Sequence, residues 1–185
     1  YINGKPFGDK LMGVNRHQDY AYIGNAVPNN LHWLDVKKMR DAGFRIIRSA
    51  HYPQDPAFMD ACDELGMFII VATPGWQYWN PEPVFEERIL SDIRNMVRRD
   101  RNHPSVLLWE PVLNETAFPE SFAQNAYRAT HEEYPAPGCY AAIDDKSKGA
   151  MGYDVVYTAP KNEAFYRNAG KSCFTREYGD CVDDW

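Results

Sequence analysis

Apolar and polar positions alternate along the chain in a strand, helix, strand rhythm. After an Asn3-Gly4 turn signal, the short apolar segment Leu11-Met12-Gly13-Val14 runs into the polar group Asn15, Arg16 and His17, as a strand does when it delivers side chains at its end. In "NNLHWLDVKKMRDAG", Leu31, Leu34 and Met39 recur at helical spacing, with Asn29 or Asn30 as expected caps and Gly43 as the stop. Phe44, Ile46 and Ile47 predict a second strand closed by Arg48-Ser49-Ala50-His51-Tyr52-Pro53. A helix over "DPAFMDACDELG" and a strand over "MFIIVA" repeat the unit. Beyond the Pro/Trp-rich loop "TPGWQYWNPEP", a helix over "FEERILSDIRNMVRRD" leads to a fourth strand, "SVLLW", ending at Glu110-Pro111-Val112-Leu113-Asn114-Glu115. A further helix is expected over "PESFAQNAYRATHEEY", then weaker strands over "GCYAA", "DVVYTA" and "SCFT", the last running into Arg176-Glu177-Tyr178. The total is about seven strands.

Continuous apolar strands separated by helices imply a parallel sheet covered on both faces, and polar clusters at successive strand ends favour a (β/α)8 TIM barrel of class α/β over an open doubly wound sheet. "GVNRHQDYAYIGNA" lacks GxGxxG spacing, which argues against a dinucleotide-binding version of that rival. A complete barrel takes about 250 residues. This chain has 185, so a partial barrel, ending after the seventh strand, is the expectation across residues 1–185.

Composition narrows the class further. With 44% hydrophobic and 14% aromatic residues the chain can bury one substantial core, and its 13 prolines and 12 glycines are scattered between apolar runs. Twenty Lys plus Arg against 26 Asp plus Glu give a net charge of −6, which argues against nucleic acid or an anionic membrane surface as partner. No apolar run approaches the roughly 18 residues of a membrane-spanning helix. The four cysteines, Cys62, Cys139, Cys173 and Cys181, have no CxxC pairing, and the five histidines form no HExxH pattern, so no metal site is expected. Periplasmic, secreted and cytoplasmic locations all stay open.

In a barrel, Glu115 just past the fourth strand and Glu177 just past the seventh converge on one rim. Two carboxylates flanking a glycosidic bond can divide the work, one protonating the leaving oxygen while the other attacks the anomeric carbon or activates water. Burial and a neighbouring negative charge are expected to raise the pKa of the acid, while Arg176, Arg48, Tyr178 and Asn114 are candidate donors holding the other ionised. Charged strand ends also form solvated rims and structural ion pairs. Glu110, at the strand end itself, is assigned a supporting role. Trp76, Tyr78 and Trp79 offer aromatic faces for a sugar, or a lid packed onto the barrel.

The stretches "NGKPF", "GVNRH", "MRDAGFRIIRSAHYPQDPAFMDACDELGMFII", "RDRNHPSVLLW", Asn114-Glu115 and "EYG" from Glu177 to Gly179 together resemble the catalytic domain of glycoside hydrolase family 2, which includes β-galactosidases, β-glucuronidases and β-mannosidases. The resemblance implies a retaining β-glycosidase with Glu115 as general acid/base and Glu177 as nucleophile, their carboxyl groups about 5 to 5.5 Å apart. By the same resemblance Asn114 meets the sugar 2-hydroxyl, Tyr178 steadies the nucleophile, and Arg48 and His51 line the pocket. For Arg48 a structural ion pair, and for His51 a satisfied buried imidazole, are the competing readings. No cofactor is required. Some relatives hold an accessory Mg²⁺ near the site, and the resemblance permits one here without locating it. It also implies β-sandwich domains preceding the barrel as partners, and is compatible with a homo-oligomer. Two departures bear on substrate: Val71-Ala72-Thr73-Pro74 stands where many relatives place an acidic pair, and Glu110-Pro111-Val112-Leu113 lacks the commoner glycine. The expected reaction is exo-acting hydrolysis of terminal β-galactosides. The alternatives are β-glucuronide or β-mannoside hydrolysis, or an inactive carbohydrate-binding derivative.

Overall fold

The structure is a computed structural model that describes residues 1–8, 10–158 and 163–177. Seven parallel strands follow one another in space as they do in sequence: β1 (Gly13–Arg16), β2 (Ile46–Ser49), β3 (Phe68–Ala72), β4 (Val106–Glu110), β5 (Ala142–Asp144), β6 (Val155–Tyr157) and β7 (Ser172–Phe174). Between them run α1 (Asn29–Asp41), α2 (Pro56–Leu65), α3 (Pro83–Asp100), α4 (Glu120–Glu133) and α5 (Glu163–Asn168). The ladder runs unbroken from β1 to β4 and from β5 to β7. At the seam a parallel bridge between Trp109 and Ala141 and a 2.7 Å bond from Trp109 N–H to the Tyr140 carbonyl join the two halves. The barrel expectation holds over the doubly wound one, because consecutive strand order with helices between is the βα-barrel repeat.

Local chemistry explains most boundaries. Asp55 caps α2 by accepting from Ala57 N–H at 2.8 Å, Pro56 opens it, and Gly66 at φ 68° closes it in the left-handed region. The expected asparagine caps of α1 are not formed: Pro28 is the N-cap, and Asn29 and Asn30 occupy the first turn without side-chain capping. Strand β1 begins two residues later than its apolar run. At Gly13 a Cβ would meet the Ile46 carbonyl oxygen at 2.6 Å, so only glycine lets β1 lie this close to β2. The expected "GCYAA" strand slides to Ala142–Asp144, whose last residue carries a carboxylate to the rim. A short 3₁₀ turn, Ala150–Gly152, and α5 were not expected from the sequence.

Strands β2 and β3 are almost wholly buried, and Ile47, Ile69 and Val71 pack with Phe58, Met59 and Cys62 of α2 as one core cluster. A second cluster joins Ile89 and Ile93 of α3 to Phe122, Ala126 and Ala129 of α4. Burying side chains of this size stabilises by about 1.5–3 kcal/mol each. These helices hold the strands rigid, and the strand ends carry the polar groups. Between β1 and β7 lies a cleft of about 700 Å³, lined by Gly13, Asn15, Ile46, Arg48, Phe174 and Glu177 among others. At its mouth Asn15 Nδ2 donates to the Arg176 carbonyl at 3.2 Å.

Candidate active site

The C-terminal ends of β2, β4 and β7 deliver the charged residues to one place. Arg48, buried at 3% exposure, donates through Nε to Glu110 Oε2 at 2.7 Å and through Nη2 to Oε1 at 2.6 Å. This paired geometry is the strongest form of an Arg–carboxylate contact. Burial works against the Arg48 charge, but the Glu110 carboxylate outweighs it and raises the guanidinium pKa. The other terminal nitrogen, Nη1, donates to Glu177 Oε1 at 2.9 Å and to Asn15 Oδ1 at 3.2 Å. Glu110 therefore has the supporting position anticipated for it: it fixes the cation on which Glu177 rests.

Asn114 occupies the middle. Its Oδ1 accepts from Arg48 Nη2 at 3.2 Å and from Arg176 Nη1, while Nδ2 faces His51 Nε2 at 3.4 Å. Burial, followed by the Arg48 charge, lowers the His51 pKa to about 4. The neutral ring can then accept from the Asn114 amide through Nε2. Arg176 reaches Glu115 Oε1 at 3.4 Å through Nη2, Glu177 Oε1 at 3.8 Å through Nη1, and Asp144 Oδ2 at 2.7 Å. Glu115 and Glu177, expected to share a rim, are thus both in contact with one guanidinium.

The environment of Glu115 departs from expectation. Its side chain is 42% exposed, and a 2.7 Å bond donated by Gln77 Nε2 to Oε2, together with the Arg176 charge, lowers its pKa against the opposing pull of burial. The anticipated rise is not seen, because two donors meet the carboxylate where burial and a neighbouring negative charge were expected to dominate. Glu115 also sits at φ 49° and Gln77 at φ 54°, in a left-handed region that costs a non-glycine residue on the order of 1 kcal/mol. Their loops are joined by a Gln77 N–H bond to the Asn114 carbonyl at 3.0 Å and by a Trp76–Asn114 bridge. Gln77 was not singled out from the sequence. A loop glutamine 38 positions from its partner carries no local signal.

The aromatic loop divides. Trp76 is 47% exposed and stands among the rings of His17, His51 and Tyr52, with centroids 5.9–6.5 Å away. Trp79 turns away from the rim, its ring 4.8 Å from Phe122 and 5.3 Å from Phe85, packed with the α3–α4 core. Of the three aromatic residues of this loop, Trp76 and Tyr78 are exposed, and Trp79 takes the packing alternative. Tyr178 lies outside the described residues. Among the described residues no group of three His, Cys, Asp or Glu could hold a metal ion.

Residues 1–136 match the family description "Glycosyl hydrolases family 2, TIM barrel domain". The chain belongs to glycoside hydrolase family 2. A "Beta-galactosidase" from Thermoanaerobacterium thermosulfurigenes is 38% identical over 73% of this chain and 19% of its own length. A "Putative beta-glucuronidase" from Formosa agariphila is 34% identical over 59% of this chain and 13% of its own. The family 2 beta-galacturonidase structure from Eisenbergiella tayi, bound to galacturonate, superposes with a TM-score of 0.72 at 27% identity, covering 87% of this chain and 34% of that one. The chain spans about a fifth of the length of the first two curated relatives it matches.

Proposed function

We propose that this family 2 barrel carries the active site of a retaining, exo-acting β-glycosidase that removes terminal β-galactosyl residues by double displacement. The reading rests on one observation above all: Glu115 and Glu177, from two different strand ends, are bridged by Arg176 with Asn114 between them. In the first step the Glu177 carboxylate attacks the anomeric carbon and forms a glycosyl ester as the glycosidic C–O bond breaks. Glu115 gives its proton to the departing oxygen. In the second step the Glu115 carboxylate takes a proton from water, whose oxygen attacks the same carbon and frees Glu177. Arg48 and Arg176 hold the Glu177 carboxylate in place for attack. Glu115 must be protonated for the first step, and a sugar lying against it strips its water and raises its proton affinity. Asn114, fixed from both sides by arginines, is positioned for the 2-hydroxyl, and Trp76 offers a face to the apolar side of the ring.

Galactoside is supported by the names of two relatives that are 38% and 35% identical. Uronides are the second reading, favoured by the galacturonidase structure and the Formosa relative. Against a uronide, Arg48 and Arg176, the cations touching these carboxylates, are both engaged by carboxylates of the chain itself. A panel of aryl β-glycosides assayed on the full-length protein, with the first-formed anomer followed by NMR, tests both parts. Fastest release from the β-galactoside with β-galactose appearing first is the expected result. Fastest release from a glucuronide or mannoside would defeat the sugar assignment, an α-anomer formed first would defeat retention, and a folded but inactive protein would leave a binding derivative.

A further inference from the structure

We propose that Gln77 is a positioning residue for Glu115: its carboxamide donates to Oε2, so that the proton Glu115 gives to the leaving group resides on Oε1, the oxygen facing Arg176. The inference rests on the acid/base reading of Glu115 and adds to it a residue and an orientation. Three features carry it. The Nε2–Oε2 bond is 2.7 Å, within the range of strong hydrogen bonds to carboxylates. An amide N–H is donor only, so an oxygen that accepts from it is the unprotonated, carbonyl-like one of a carboxylic acid. Finally, the backbone is arranged for this contact: Gln77 and Glu115 both occupy the left-handed region, and the Gln77 N–H to Asn114 carbonyl bond sets the two loops in register. Two strained non-glycine residues facing each other across one hydrogen bond mark a place where the surrounding fold enforces geometry.

The groups facing Glu115 come from several strand ends. Arg176 and Glu177 come from the β7 end, His51 and, through Asn114, Arg48 from the β2 end, and Asp144 joins through Arg176 from β5. Arg176 touches Oε1 only at 3.4 Å. That contact is loose enough for a glycosidic oxygen to replace it, whereas the Gln77 contact is not. The lowered pKa of Glu115, with the Gln77 bond as its largest cause, agrees with this division of labour.

Two variants in the full-length protein test the inference. Gln77→Asn keeps a side chain that tolerates positive φ but withdraws the amide by one methylene. Gln77→Glu keeps the length and replaces a donor with a carboxylate. Values of kcat/KM, which report the first step, are compared for aryl β-glycosides with a poor leaving group (phenyl) and a good one (2,4-dinitrophenyl). Q77N is expected to reduce the phenyl rate about 10-fold more than the dinitrophenyl rate, because only the former needs a well-placed acid. The alkaline limb of the phenyl pH profile should move upward in Q77N and further in Q77E. Equal losses for both leaving groups with an unmoved limb would make Gln77 a merely structural residue and overturn the inference. Glu115→Ala is the control: a steep leaving-group dependence with rescue by azide marks Glu115 as the acid/base. If E115A shows neither, the parent reading fails and the inference falls with it. If E115A shows both and Q77N shows no split, the inference alone fails.

Discussion

The two carboxylates proposed for catalysis are held in opposite ways. Glu177 rests on a buried cation: Arg48 is locked by both oxygens of Glu110, and its remaining nitrogen points at Glu177. Glu115 is exposed at positive φ on an otherwise largely buried loop, held by a neutral amide and a distant guanidinium. The contrast follows from the proposed chemistry. A nucleophile must be held still, which a buried, fixed guanidinium does. An acid/base must release a proton and take one back in every turnover, which a buried ion pair would prevent.

The largest expected effect comes from breaking the buried side of this contrast. Glu110→Gln leaves buried Arg48 with only the part-exposed Glu177 as counter-charge, and should cost about 3 kcal/mol of stability by denaturant unfolding. It should also lower kcat/KM about 100-fold as Glu177 loses its orientation. Gln77→Asn on the exposed side should cost less than about 1 kcal/mol. Equal destabilisation by the two variants would remove the distinction between floor and rim. Next in size, Trp79→Ala should destabilise by about 2 kcal/mol, less than a fully buried ring, because Trp79 keeps part of its surface in water. Trp76→Ala should instead raise KM about 5-fold with little change in unfolding. The reverse pattern would put the sugar platform on the wrong tryptophan.

The smallest effect concerns His51. Its folded pKa of about 4 lies below the unfolded value near 6.5, so the unfolded chain binds the proton more readily. The resulting stability is fully present above about pH 6.5 and is lost as pH falls toward 4. Unfolding midpoints measured across that window should fall less steeply in His51→Gln than in the parent. Identical slopes would mean that His51 is not held neutral beside Arg48.

Much of the barrel was legible because a strand buried on both faces must be continuously apolar, and "MFIIVA" and "SVLLW" could hardly be anything else. The three-residue strands β5 to β7 are too short to show a period, which is why the expected β5 starts four residues early. At the site, strand exits marked Arg48, Glu110 and Asn114-Glu115, but which carboxylate pairs with which guanidinium depends on contacts 62 to 129 positions apart. Trp76 and Trp79 share one loop and point to opposite sides. Their spacing carries no record of that, because loop direction is set by the helices it packs against. The left-handed turn at Glu115 was equally hidden, since glutamate gives no sign of it.

The most direct test of the central assignment is to trap the covalent intermediate. The full-length protein is incubated with 2,4-dinitrophenyl 2-deoxy-2-fluoro-β-galactoside, digested, and the labelled peptide sequenced by mass spectrometry. The account predicts a fluoroglycosyl ester on Glu177, with none formed in Glu177→Gln. An adduct on Glu110 or Glu115, or no adduct in a preparation that turns over the corresponding galactoside, would contradict it.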